Sequence, residues 1–169
     1  VITEISNDYD LMDWESNQFI SNPEFNDIFS YDQNILAAYT TYGYKFKKFG
    51  VKAGLRVENT KIKSLLEVTN ETNDQDYTNL FPSIHSSFKF TETFSVQMGY
   101  SRRIGRPDMR DLNPFTSFSD NLNLRTGNPD LIPEFTNSFE LSTLRVWGIG
   151  TLSGAIYHRR TDGVIDRIT

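Results

Sequence analysis

Polar and apolar residues alternate one for one through long stretches of this chain. Val51, Ala53, Leu55 and Val57 alternate with Lys52, Gly54, Arg56, Glu58 and Thr60, and Phe94, Val96, Met98 and Tyr100 alternate with Ser95, Gln97, Gly99, Ser101 and Arg103. Successive side chains of a strand point to opposite faces, whereas a helix would spread the same residues around its circumference. The pattern therefore dictates strands with one apolar and one polar face.

The spacing predicts a weak strand over 1–12, a loop over 13–31 and strands over 34–47, 51–68, 78–90, 94–104 and 134–146. A last strand runs from 151 toward 169, with a break near Asp162-Gly163. Its apolar face is open, because Leu152 with Ile156 and Ala155 with Tyr157 both qualify. Short turns are expected near 48, 92 and 148, a polar loop over 69–76, and a long structured loop over 105–133 that holds four of the six prolines. In an up-and-down meander, alternate connections lie at the same end. One end therefore carries short turns and the other long loops, the asymmetry of outer-membrane barrels.

Composition removes several classes. With no cysteine there is no disulfide framework, thiolate metal site or cysteine nucleophile. A net charge of -5 leaves no basic excess for nucleic acid. No apolar run is long enough for a transmembrane helix, but a barrel strand needs only alternation over about ten residues. Aromatic residues make up 14% of the chain and hydrophobic residues only 37%, which fits either a soluble β-module that binds carbohydrate through aromatics or a transmembrane barrel with aromatic girdles. The length of the strands favours the barrel, since soluble strands average about 5–6 residues, and the soluble carbohydrate-binding module stays as the alternative. The expected fold is all-β: an antiparallel up-and-down meander of about seven strands, part of a larger transmembrane barrel.

Specific motifs add to this. Tyr100-Ser-Arg-Arg-Ile-Gly-Arg-Pro-Asp108 is followed by Asp111-Leu-Asn-Pro-Phe115, Asn123-Leu-Arg-Thr-Gly-Asn-Pro-Asp-Leu131 and Pro133-Glu-Phe-Thr-Asn-Ser-Phe-Glu140. Upstream stand Ile35-Leu-Ala-Ala-Tyr39, Gly54-Leu-Arg-Val-Glu58 and Leu80-Phe-Pro-Ser83. In this order, over roughly 25–169, they resemble the C-terminal barrel region of TonB-dependent outer-membrane receptors. The resemblance implies a barrel closed around an N-terminal plug, in the outer membrane of a Gram-negative bacterium. It also implies a small-molecule nutrient ligand (an iron chelate, vitamin or oligosaccharide), coupling to TonB, outer-membrane lipid around the barrel and a surface lipoprotein as a further partner. Residues 1–169 would then be a fragment of one barrel domain, with the plug and remaining strands lying elsewhere. A non-transporting outer-membrane barrel is the other reading of the same strands.

The candidate ligand residues lie in or beside the long loop. Arg103, Arg106, Arg110 and Arg125 could grip a carboxylate, a chelate or a sugar hydroxyl, and Phe115 or Phe118 could stack on it. The competing reading, which is preferred, is that Arg–Asp pairs and prolines hold the loop folded. Lys52, Arg56, Glu58, Gln97 and Glu140, with Arg103, are expected to face the lumen, either along a substrate path or, as preferred, in a mutually neutralising wall. Tyr39, Tyr42, Tyr44, Phe46, Phe49, Phe88, Phe90, Phe94, Tyr100 and Trp147 are expected in aromatic girdles. His85 and His158 have no carboxylate partner implied nearby, and no catalytic triad, phosphate loop or metal-spaced cluster occurs. No enzyme activity, cofactor or metal is expected.

Overall fold

The computed structural model describes residues 2–9, 12–15, 18–21, 27–66, 70–113 and 126–166. They form β1 (Ile2–Tyr9), β2 (Met12–Glu15), β3 (Gln18–Ser21), β4 (Asp27–Phe46), β5 (Phe49–Leu66), β6 (Glu71–Thr91), β7 (Phe94–Gly105), α1 (Met109–Leu112), β8 (Glu134–Trp147) and β9 (Gly150–Asp162). A single seven-stranded sheet has the order β1-β4-β5-β6-β7-β8-β9, and β2 pairs only with β3. From β4 to β9 each strand pairs with the next in the chain, which is the meander that the alternating pattern dictates. β4, β5 and β6 run 20, 18 and 21 residues, several times the length of a strand in a water-soluble protein.

Two expected loops are corrected. The 13–31 segment contains the β2–β3 hairpin and the start of β4, and the 69–76 segment belongs to β6 from Glu71 onward. Apolar alternation stops in both places, although backbone pairing continues. The last strand also ends earlier than expected, at Asp162, where Gly163 takes a φ of +73°.

Three two-residue turns, Lys47-Lys48, Glu92-Thr93 and Gly148-Ile149, close the hairpins β4–β5, β6–β7 and β8–β9. Lys47 takes a φ of 50°, the left-handed region that hairpin turns compatible with strand twist demand.

The chain divides into two units. One comprises residues 37–57, 79–107 and 132–169. Here the register is regular: Met98 lies opposite Leu141, and Leu141 opposite Ile156. The apolar face therefore runs through Ile84, Met98, Leu141 and Ile156, and the expected ambiguity of the last strand resolves in favour of Leu152 and Ile156. Ala155 and Tyr157 lie opposite Ser142 and Glu140, on the polar face.

Aromatic residues cluster at two levels of the apolar face. Phe90 lies 4.8 Å from Phe88 and 5.1 Å from Phe94, ring centre to ring centre, beside the Glu92-Thr93 turn. Nearer the other strand ends, Tyr100 lies 4.9 Å from Phe139, which stacks on His158, and the Tyr100 hydroxyl donates to Asn137 Oδ1 at 2.9 Å. Aromatic rings at two heights match the aromatic girdles of outer-membrane barrels. Tyr39 is the exception among the expected girdle residues. It stands two positions before Thr41, which touches the position of Gly54 on the polar face.

The other unit comprises residues 1–36, 58–78 and 108–131. Within it Phe29, Tyr31, Ile62 and Leu112 form a buried cluster, joined by Tyr77, Met109 and Leu131. In β5 the buried positions are Glu58, Thr60, Ile62 and Ser64, while Lys61 and Lys63 are exposed. The odd-numbered side of β5 is polar here, at Asn59, Lys61 and Lys63, and apolar at Val51–Val57. That reversal is what a strand shows when it leaves hydrocarbon for water.

Candidate functional site

The connection between β7 and β8 supplies α1 and a returning segment to the second unit. Asp108 caps α1: its carboxylate accepts from the backbone N–H groups of Arg110 (2.8 Å) and Asp111 (3.1 Å), and the Asp111 carboxylate accepts from the Asp108 N–H. The chain then returns on itself, with Gly127 N–H donating to the Asn113 carbonyl and Asn128 N–H to the Asp111 carbonyl. The neighbouring strand holds this return in place. Asn73 Nδ2 donates to the Pro129 carbonyl (2.9 Å) and to Asp130 Oδ1 (3.1 Å), and Gln75 Nε2 donates to the Pro129 carbonyl. Leu112 plugs into the cluster of Phe29, Tyr31 and Ile62.

Outside that core, Asp76 accepts from Asn59 Nδ2 at 2.9 Å and pairs with Lys61 at 3.3 Å. The Asn59 hydrogen bond, aided by Lys61, holds the Asp76 carboxyl below the usual carboxylate range.

Three of the six loop candidates lie within the described residues. Arg110 is exposed on α1. Arg103 belongs to β7 in the other unit, and Arg106, just past the end of β7 in that unit, has its Nε buried without a hydrogen bond although the residue has other partners. Phe115, Phe118 and Arg125 lie outside the described residues.

The polar face of the first unit holds two recesses. One, of about 550 Å³, is lined by His85, Gln97, Arg103, Glu140 and Arg159 among serines, threonines and glycines. The other, of about 490 Å³, is lined by Gly43, Lys45, Gly50, Lys52, His85, Lys89 and Gln97. Lys52, Gln97, Arg103 and Glu140 thus share one face. Lys52, Arg103 and Glu140 make no ion pair with one another among the described residues. Arg56 lies over the ring of Phe81 at 5.0 Å. Glu58 belongs to the other unit, where it is buried and partnered. Sequence reasoning missed Lys45, Lys89 and Arg159 on this wall. Strand parity could have found the first two, whereas Arg159 needed the register of β9. No group of three or more histidines, aspartates and glutamates among the described residues could hold a metal ion.

No curated protein matches the chain in sequence. Among solved structures, the siderophore receptor PirA from Pseudomonas aeruginosa superposes with a TM-score of 0.45 at 14% identity, over 82% of this chain and 32% of that receptor, so the chain spans about a third of its length. The outer membrane protein beta-barrel family matches residues 1–169 from end to end, and the chain belongs to that family, in the outer membrane of a Gram-negative bacterium.

Proposed function

We propose that this chain forms wall strands and long connections of a TonB-dependent receptor that imports a scarce nutrient across the outer membrane. The observation that carries the reading is the asymmetry of the strands. Three two-residue turns close the hairpins of one unit, whereas the other unit, built from strand segments and part of the β7–β8 connection, has its own buried core. A barrel that served only as a scaffold would not need such a structure. A receptor needs one to hold ligand-contacting loops in a fixed conformation, because ordering them on binding would cost affinity.

In this reading the remaining strands, the plug and the energy-coupling segment belong to other parts of the protein. An open sheet edge in lipid leaves backbone groups unsatisfied at several kcal/mol each, so the seven strands act only within a closed barrel. The motif order from Tyr100 to Glu140 supports the TonB-dependent assignment over a non-transporting barrel.

Binding of TonB's periplasmic domain to the full-length protein in detergent is the test. Binding that disappears when the N-terminal coupling segment is deleted would support the receptor reading. A correctly folded full-length barrel with no affinity for TonB would favour the non-transporting barrel.

A further inference from the structure

The charges of the chain are sorted by unit. Residues 1–36, 58–78 and 108–131 contain 17 acidic and 4 basic residues, while residues 37–57, 79–107 and 132–169 contain 5 acidic and 13 basic. A self-neutralising barrel wall would mix the two signs. Six of the basic residues of the second set, Lys45, Lys52, Arg56, Lys89, Arg103 and Arg159, stand on its polar face.

Among the described residues of this unit Glu134 and Glu140 oppose them on the strands of that face, and Glu134 already accepts from the Ile165 N–H; Glu58, which follows Arg56 on the same side of β5, is buried and partnered in the other unit. Lys45, Lys52, Lys89, Arg103 and Arg159 have no acidic partner among the described residues. Like charges concentrated on one wall repel each other, so the arrangement calls for an anionic occupant.

The floor between these cations is kept low. A Cβ at Gly54 would stand 2.7 Å from Ser83 Oγ, one at Gly50 would stand 2.9 Å from Ser87 Oγ, and one at Gly99 would stand 3.1 Å from His85 Nδ1. Glycines thus leave room for hydroxyl and imidazole groups, which are hydrogen-bond partners for oxyanions, between the ammonium groups. The cations face away from the apolar side, so a lipid headgroup does not meet them.

Resting on the receptor reading, we propose that the cargo is a small multivalent anion bearing carboxylate or phosphate groups, and that Lys45, Lys52 and Lys89 form a binding step for it on the inner wall. Lys47 and Lys48 are not part of this set, because Lys47 lies over the Phe46 ring and Lys48 donates to the Phe90 carbonyl.

The experiment is calorimetric titration of the full-length protein, folded in detergent, with tripolyphosphate. The heat-induced gel shift verifies the barrel in every variant. The combined Lys45→Gln, Lys52→Gln and Lys89→Gln variant should bind at least about tenfold more weakly, and the corresponding Lys→Arg variant should bind within about threefold of wild type. A Lys61→Gln, Lys63→Gln variant, altered in the other unit, should bind as wild type. Affinity should also fall as salt is raised.

Absence of binding by a folded barrel, or equal binding by the triple Gln variant, would overturn the proposal. So would zero-length cross-linking of Lys52 or Lys89 to an aspartate or glutamate of the polypeptide, since the occupant would then be an acidic protein segment. TonB binding reports on the receptor reading separately, so the two failures are distinguishable.

Discussion

Gly127 donates its N–H to the Asn113 carbonyl at 2.8 Å, and a Cβ on Gly127 would stand 2.5 Å from that same oxygen. The Asp111 carbonyl oxygen would be equally close. The hydrogen bond that closes the β7–β8 connection therefore requires a residue with no side chain. Gly127→Ala should open the return at a cost of roughly 1–3 kcal/mol. Limited proteolysis checks this: cleavage within 108–131 should accelerate, while the barrel keeps its heat-induced gel shift.

Leu112 is 3% exposed against Phe29, Tyr31 and Ile62. Leu112→Ala should cost the unit roughly 2–5 kcal/mol, as cavity-forming substitutions of buried leucine do. Hydrogen exchange of the β5 and β6 extensions should quicken in this variant. Lys63→Ala, an exposed change on the same strand, should leave exchange as it was.

Ile156 and Tyr157 are neighbours on β9 with opposite faces. In the full-length barrel refolded into vesicles, Ile156→Arg should lower unfolding stability by roughly 2–4 kcal/mol, the cost of a charge on the lipid face near the midplane. Tyr157→Arg should cost much less. Equal losses would mean that the face of β9 is misassigned.

Asp76 gives the β5–β6 extension a defined pH response. Its carboxyl lies below the ordinary value of 3.8 because Asn59 and Lys61 favour the charged form. A depressed folded value means the stabilisation is complete above the unfolded value and is lost as pH falls through the folded one. Hydrogen exchange around Asn59, Lys61 and Asp76 should therefore be insensitive to this group from pH 7 to 5 and should quicken below about 4. In an Asp76→Asn variant that acid-dependent step should vanish.

The part of the fold inside the bilayer was legible in the sequence because lipid imposes a strict period of two on Val51–Val57 and Phe94–Tyr100. Outside it the rule lapses. Residues 69–76 read as a polar loop because Thr72, Asp74 and Asp76 face water, while the partners of Asn73 and Gln75 arrive from Pro129 and Asp130, more than 50 residues away. β9 was ambiguous because Leu152, Ala155, Ile156 and Tyr157 fit either parity, and only pairing with Leu141 decides. Lys52, Gln97, Arg103 and Glu140 could be placed on one wall from parity alone. That Arg103 and Arg110 belong to different units could not be read, since it depends on where the β7–β8 connection folds.

The central claim is that one face of these strands meets lipid and the other an aqueous interior. Single cysteines placed in turn at Ser138, Phe139, Glu140, Leu141, Ser142 and Thr143 of a cysteine-free full-length protein, labelled with a fluorophore in bilayers, test it directly. The account predicts that lipid-borne quenchers reach labels at 139, 141 and 143, and that aqueous quenchers reach those at 138, 140 and 142. Aqueous quenching at all six positions, with no alternation, would contradict it.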